Sequence, residues 1–302
     1  MKVLICASGN AGRLSPFVQE QAESLEKLGI KIDYFLIIGN GILGYLKNYP
    51  LLIRKIKLGK YDLIHAHYGL SGLLATLQKR IPVIITFHGT DINNNKNIPF
   101  SLLASRLSQD NIFVHDSLPK KLKLSGKNFH IISCGVNLDI FSPMNKIIAR
   151  DKLGWDEKKN YILFSSQFNN PIKNASLAKS ALESIDLEIE LIELKGYQKR
   201  DIRILMNAVD LLLVTSFSET GPIVVKEALA CNCPIISTDI GDVKSIIQKI
   251  DNCFISSYNP IEIGKIIKQI LASNLRSNGR GFMNSYRLDK IANKIKKVYE
   301  NI

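Results

Sequence analysis

Residues 211–241 read LLLVTSFSETGPIVVKEALACNCPIISTDIG, and they decide the fold. Leu211 to Val214 form a continuous apolar run, short enough for a strand buried on both faces, which empties into the turn-forming Thr215, Ser216, Ser218 and Thr220. Pro222 suits the first turn of a helix, where its missing N–H leaves nothing unpaired, and Val225, Ala228 and Leu229 carry a helical pattern onward. Cys231, Asn232 and Cys233 end it, and Pro234 to Ile236 is a second apolar run. Strand, loop, helix, strand is the βαβ unit of a parallel sheet.

The alternation extends outward in both directions. Strands are expected at Tyr161 to Phe164 and Glu188 to Leu194, with a helix from Ala175 between them. Beyond Gly241 come a helix, a short strand near Phe254, a helix from Pro260 to Ala272, and a last helix from Asp289 to Tyr299 with Ile291, Ile295 and Val298 on one face. The first half repeats the pattern: strands at Lys2 to Ala7, Lys31 to Ile38, Asp62 to Ala66, Pro82 to Phe87, Asn111 to Val114 and Phe129 to Ile132. Helices are expected at Pro16 to Leu28, stopped by Gly29, and at Gly69 to Lys79, with a helical stretch at Tyr45 to Leu58 that Pro50 interrupts. Such alternation predicts doubly wound parallel sheets.

A chain of 302 residues exceeds what one core usually serves, so two domains are expected. Ser133 to Pro143, with Gly135, Asn137 and Pro143, is the candidate linker, which divides the chain into residues 1–140 and 141–285. With 46% apolar and 22% charged residues the composition is that of a globular protein, neither fibrous nor disordered. Five cysteines without framework spacing fit a reducing compartment, and Cys231 and Cys233, one residue apart with no His nearby, do not make a zinc site. Met1 to Cys6 is too short for a signal peptide and no apolar run approaches a membrane span, so a cytoplasmic location is expected. The net charge of +13 implies attraction to an anion: a nucleotide, a nucleic acid or a membrane surface.

Chemistry-bearing residues gather at expected strand ends, where open α/β sheets place ligands. His65, His67 and His88 stand at such ends in the first half, either as capping residues or as site residues. A zinc site from His65 and His67 is set aside on the expectation that the two side chains leave the strand on opposite faces. The loop after the first strand carries Gly9, Gly12 and Arg13, too few glycines for a dinucleotide fingerprint, and no acid closes the next strand, so a dehydrogenase is excluded. Lys173 precedes a helix start, an unfavourable place for a cation unless an anion offsets it; a solvated loop lysine is the other reading. Glu219 and Glu227 stand eight residues apart, roughly 80° apart on a helix, and either complement the helix dipole or face one cleft at two depths. Tyr197 follows Gly196 in a loop, where it stacks on a base or lies exposed.

The residues around these acids carry a resemblance. Glu219-x7-Glu227 followed by Ala-Leu-Ala-Cys-x-x-Pro-Ile-Ile-Ser-Thr-Asp-Ile-Gly is similar to the donor-binding segment of family 4 retaining glycosyltransferases of the GT-B fold. His88-Gly89-Thr90-Asp91 resembles the family's His-Gly-Thr-Asp turn, and Cys134-Gly135-Val136-Asn137 its Asn-Gly-Val-Asp linker with two substitutions. The resemblance implies two facing doubly wound domains, an acceptor-binding N-terminal one and a donor-binding C-terminal one, with the final helix, residues 286–302, packing back on the first. It implies that Glu219 contacts the donor sugar, Glu227 the ribose, Lys173 and the backbone at Gly221 the diphosphate, and Tyr197 the nucleobase. Gln167 stands near the place of the family's phosphate-binding Arg. His88 would lie beside the transferred sugar, and Gly9, Gly12, Arg13 and His67 beside the acceptor.

The implied reaction moves a hexose-type sugar from a UDP-sugar or GDP-sugar to a saccharide or lipid-linked acceptor, with retention and with no cofactor. The chain has no Asp-x-Asp pair to hold a metal on a sugar diphosphate, so metal-independent transfer is expected, the leaving-group charge falling to Lys173 and helix N-termini. A sugar-nucleotide epimerase on the same fold is the alternative. A nucleic-acid-binding protein is disfavoured, because the basic residues are spread over both halves, 17 against 9 acids through Ile140 and 23 against 18 afterwards. Residues 44–60, GYLKNYPLLIRKIKLGK, lie in a stretch with no acid between Asp33 and Asp62, and interleave Lys47, Arg54, Lys55, Lys57 and Lys60 with Tyr and Leu. They read as a helix packed on its sheet, as contact with an anionic membrane, or as both on different faces.

Overall fold

A computed structural model describes residues 1–124 and 129–302. The chain forms two compact units: Met1–Gly135 with Leu288–Ile302, and Val136–Arg287.

In the first unit six strands make a parallel sheet: β1 (Lys2–Ser8), β2 (Lys31–Ile37), β3 (Leu63–His67), β4 (Val83–Phe87), β5 (Asp110–Phe113) and β6 (His130–Ile131). Their order is β2-β1-β3-β4-β5-β6, so the winding reverses between β1 and β3. The apolar runs explain the layers. Successive residues of a strand face opposite sides, so Leu63 and Ile84 enter one apolar cluster while Ile64 and Ile85 enter the other. The helix Leu288–Glu300 closes the first of these, burying Ile291, Ile295, Val298 and Tyr299 against the helix Pro16–Glu26 and the sheet. Burial on this scale contributes about 1.5–3 kcal/mol for each large apolar side chain.

Between β2 and β3 the chain forms two helices, Gly41–Leu46 and Tyr49–Gly59, where the sequence pattern predicts one interrupted stretch. Pro50 sits in the first turn of the second helix, where its missing N–H costs nothing, so it starts a helix and does not break one. Asn48 fills the junction: its side-chain N–H groups donate to the Ile38 and Gly44 carbonyls, each at 2.9 Å. The helices Ile98–Leu107 and Lys199–Ala208 are not anticipated from the sequence; in each, polar and charged residues interrupt the apolar spacing.

The second unit holds five parallel strands, β7 (Asn160–Phe164), β8 (Ile189–Glu193), β9 (Leu211–Val214), β10 (Ile235–Thr238) and β11 (Cys253–Ser256), in the order β11-β10-β9-β7-β8. Here the winding reverses between β7 and β9. Leu212 and Val214 face one apolar cluster, Leu211 and Leu213 the other, so the 211–214 run is buried on both faces as expected. A buried ion pair ties the linker side to the sheet: the Arg150 guanidinium donates to both Asp210 carboxylate oxygens at 3.0 and 3.1 Å. Open α/β sheets bind ligands outside the carboxyl ends of their strands at such reversals. The structure therefore marks one place in each unit.

Candidate active site

At the β7/β9 reversal of the second unit, two loops meet. The chain leaving β7 forms a short turn, Pro171–Lys173, and Asn174 then caps the helix Ala175–Glu183 with its side chain. The chain leaving β9 carries Thr215, whose hydroxyl donates to the carbonyls of Lys173 (3.0 Å) and Asn174 (2.9 Å) and so pins one loop to the other. Phe217 N–H adds a bond to the Ile172 carbonyl at 2.8 Å. The result brings Lys173 Nζ onto Glu219 Oε1, an oxygen that also accepts from the Ser216 hydroxyl at 2.8 Å. Two residues 46 positions apart, one expected on a phosphate and the other on a sugar, thus form an ion pair with each other.

Glu219 lies in the loop and not on the helix, which begins at Ile223. The angular argument from eight-residue helical spacing therefore does not apply to the pair Glu219 and Glu227. Glu227 is on the helix and only 8% exposed. The helix Ile223–Ala230 starts after Pro222, which makes no side-chain cap, whereas the neighbouring helix is capped by Asn174. Gly221 and Gly241 pack the loop tightly: both have positive φ, and a Cβ on Gly241 would stand 2.9 Å from the Glu219 carbonyl oxygen.

Beneath the loop lies a charge the sequence did not single out. Lys226 is wholly buried, its Nζ 3.9 Å from Asp242 Oδ2 and 4.9 Å from the centre of the Tyr286 ring. Asp242 also stands behind Gly221, and its Oδ1 is buried without a partner among the described residues. Gln167 is exposed at the end of the β7 loop. Tyr197, 40% exposed, sits in the loop after β8, on the far side of β7 from Glu219.

At the β1/β3 reversal of the first unit, Gly9 and Gly12 shape the loop after β1, and Arg13 is exposed on it. Asn10, which sequence reasoning passed over, joins this loop to the one after β2: it accepts from Gly39 N–H at 2.8 Å and donates to the Gly39 carbonyl at 2.9 Å. Four residues past Arg13, the Phe17 ring packs on His88 with centroids 4.9 Å apart. Tyr68 covers His88 from another side at 4.7 Å, held at a positive φ (72°) with ψ 152°, a backbone conformation that is costly for a tyrosine.

His65 and His67 share a face of β3, because residues two apart in a strand point the same way; their rings lie 4.5 Å apart, against the expectation of opposite faces. Both His65 nitrogens are engaged, Nδ1 with the Tyr299 hydroxyl at 2.6 Å and Nε2 with the Thr86 hydroxyl at 2.7 Å, which leaves no lone pair for zinc. His67 is wholly buried, its Nδ1 3.0 Å from His88 Nε2. His88 Nδ1 in turn lies 3.9 Å from Cys134 Sγ. Burial pushes His65 and His88 down to about 3, and holds His67 well below the usual imidazole range with help from the two neighbouring rings.

Asp91 stitches this turn to its neighbour, accepting from Gly89 N–H at 2.9 Å and from Gly69 N–H, at the start of the helix Gly69–Thr76 that follows β3, at 3.0 Å. Burial raises its carboxyl to about 6 against those backbone bonds. Its place in His-Gly-Thr-Asp was the available signal; its partner at Gly69 had none.

The paired switch-point sites define the protein's class: two doubly wound parallel sheets of the GT-B type. The chain belongs to the group 1, family 4 glycosyltransferases, matching the model for Glycosyltransferase Family 4 over residues 2–140 and that for Glycosyl transferases group 1 over residues 183–281. It is 27% identical over 294 residues to an uncharacterized glycosyltransferase of Methanocaldococcus jannaschii, covering 83% of this chain and 80% of that protein. Among solved structures, sucrose-phosphate synthase of Thermosynechococcus elongatus matches with a TM-score of 0.87 at 15% identity, over 99% of this chain and 98% of that one. The Anabaena protein HepE, in complex with UDP, matches with a TM-score of 0.80 at 16% identity over the full length of both chains. HepE has also been crystallised with UDP-glucose.

Proposed function

We propose that this glycosyltransferase moves a hexose-type sugar from a UDP-sugar or GDP-sugar to a saccharide acceptor, with retention of configuration and without a metal. The observation that carries the reading is the Lys173–Glu219 pair at the β7/β9 reversal, beside the uncapped start of the helix Ile223–Ala230. A lysine, a helix N-terminus and two carboxylates are the groups a nucleoside diphosphate sugar needs: cation and dipole for the diphosphate, acids for ribose and sugar hydroxyls. The UDP and UDP-glucose complexes of HepE support a nucleotide-sugar donor.

In the proposed reaction the acceptor hydroxyl attacks the anomeric carbon from the face that the diphosphate leaves. The C–O bond to the diphosphate breaks as the new glycosidic bond forms, and the acceptor's proton passes to the departing phosphate oxygen. Lys173 and the helix dipole stabilise the charge that develops on that phosphate. No covalent nucleophile is required. His88, neutral by burial, contributes a hydrogen bond to the transferred sugar.

The acceptor is proposed to be lipid-linked, in polysaccharide or glycoconjugate synthesis at the inner face of a membrane. The helix Tyr49–Gly59 buries Leu52 and Ile56 while Leu51 (58%) and Leu58 (75%) stay exposed beside the exposed Arg54 and Lys57. Among the described residues no helix is long and apolar enough to cross a membrane, so the contact proposed is peripheral.

A screen of nucleotide sugars by thermal shift tests the reading. A UDP or GDP sugar should raise the melting temperature, and Glu227→Ala, which removes a charged hydrogen-bond partner worth about 1.5–3 kcal/mol, should weaken that ligand roughly tenfold or more. Equal affinity of the Ala variant would remove Glu227 from the site, and no stabilisation by any nucleotide sugar would reject the donor class.

A further inference from the structure

His67 touches neither solvent nor an exposed site surface, yet its two nitrogens are treated unequally. Nδ1 faces His88 Nε2 at 3.0 Å, with the rings stacked at 20° and centroids 5.2 Å apart. Nε2 is buried and has no hydrogen-bond partner among the described residues. His65, the next ring, cannot supply one, since Tyr299 and Thr86 hold both of its nitrogens.

We propose that His67 is a positioning residue that fixes His88 as its Nδ1–H tautomer, so that His88 meets the transferred sugar as a hydrogen-bond donor and not as a base. The argument is a proton count. Burial keeps both rings neutral near pH 7, so the facing nitrogens share a single proton. If His88 donated it, His67 would carry its own proton on Nε2, an N–H buried with nothing to accept it. If His67 donates from Nδ1, the buried orphan is a bare lone pair, which costs less than an orphaned N–H. His88 then accepts at Nε2 and keeps its proton on Nδ1, the nitrogen directed at Cys134 Sγ at 3.9 Å.

Sulfur is a weak acceptor, so a sugar hydroxyl can take over that N–H at little cost. Phe17 and Tyr68 hold the ring in place from its other sides. The titratable groups around the pair are His65, Tyr68, Asp91, Cys134 and Tyr299. Burial raises the Asp91 carboxyl to about 6, and it accepts from the backbone N–H groups of Gly89 and Gly69.

The inference rests on His88 serving sugar transfer, but its first test does not. Long-range 1H–15N correlation on the full-length protein with 15N-labelled histidine reads each tautomer directly. His67 and His88 should both show Nδ1–H, without a protonation shift between pH 8 and 5.5; an Nε2–H signal for His88, or an imidazolium in that range, overturns the proposal.

Two variants then carry it to function. His67→Asn keeps an N–H where Nδ1 stands and should retain turnover within about threefold, whereas His67→Phe keeps the ring but frees His88 to change tautomer and should lose ~10²-fold in kcat with unchanged UDP affinity. Equal turnover of the two variants, both folded, also overturns it. A correct tautomer in a protein that transfers no sugar would instead reject the functional reading and leave the hydrogen-bond assignment standing.

Discussion

At the β1/β3 reversal the first unit gathers neutral imidazoles; at the β7/β9 reversal the second gathers opposite charges in contact. All five histidines of the chain lie in the first unit, and three of them stack in a row whose members are held neutral by burial. The second unit instead places Lys173 on Glu219 and buries Lys226 near Asp242. On the proposed reading a diphosphate demands charge; a lysine left alone in a half-buried loop would be poorly solvated, and Lys173 is satisfied by Glu219. A sugar hydroxyl demands only a well-aimed donor or acceptor, which neutral rings supply without attracting counterions.

The sharpest way to break this contrast is to remove one member of the charged pair at a time. On the proposed reading, Lys173→Ala should cost ~10²–10³-fold in kcat/KM and weaken UDP as well, since a phosphate partner serves both ground state and transition state. Glu219→Gln should act in opposite directions on the two quantities: turnover falls with loss of the sugar contact, while UDP binds several-fold more tightly because the lysine no longer has to leave an acid. Calorimetry with UDP separates them, and weaker UDP binding by the Gln variant would show that the pair is not in competition with phosphate.

Acid should break the first unit before the second. Folded His65 and His67 bind fewer protons than their unfolded forms, whose ordinary pKa is about 6.5, so their contribution to stability is complete above that value and is lost as pH falls below it, for His65 down to about 3. Each wholly buried imidazole steepens the decline by up to ~1.4 kcal/mol per pH unit. Asp91, with its carboxyl raised to about 6, acts with the opposite sign between roughly 3.8 and 6, one group against several. The single tryptophan, Trp155, belongs to the second unit and reports on it separately. Between pH 7 and 5 the circular-dichroism signal should be lost at lower temperature while the Trp155 transition moves less; coincident transitions insensitive to pH would refute this account.

The smallest effect concerns the surface of the first unit. Vesicles containing anionic lipid should bind the protein in a salt-sensitive way, at about 1 kcal/mol per basic residue near the surface, and changing Arg54, Lys55 and Lys57 to Glu should release it. Equal sedimentation with neutral and anionic vesicles would leave Leu51 and Leu58 as ordinary exposed side chains.

Much of this molecule was legible before its structure. Leu211–Val214 and Ile235–Thr238 are strands because continuous apolar runs between turn residues have few other ways to hide, and Pro222 and Gly29 punctuate helices by local sterics alone. Lys173, Glu219, Glu227 and His88 were legible as candidates because they stand at strand ends or helix starts in recognisable company. That Pro50 interrupts the stretch was legible, whereas its starting a second helix depends on Asn48 closing the preceding turn.

By itself, then, the sequence determined the alternation of elements and which polar residues sit where a parallel sheet presents them, both properties of spacing and local conformation. Only the tertiary structure decided who meets whom. Glu219 reaches Lys173 across 46 residues because β9 lies beside β7, not beside its chain neighbour β8, and His67 reaches His88 because β3 pairs with β4 in the register His67 to Thr86. Strand order and register are set by the burial of both sheet faces at once, a sum over the whole core that no local stretch of chain contains.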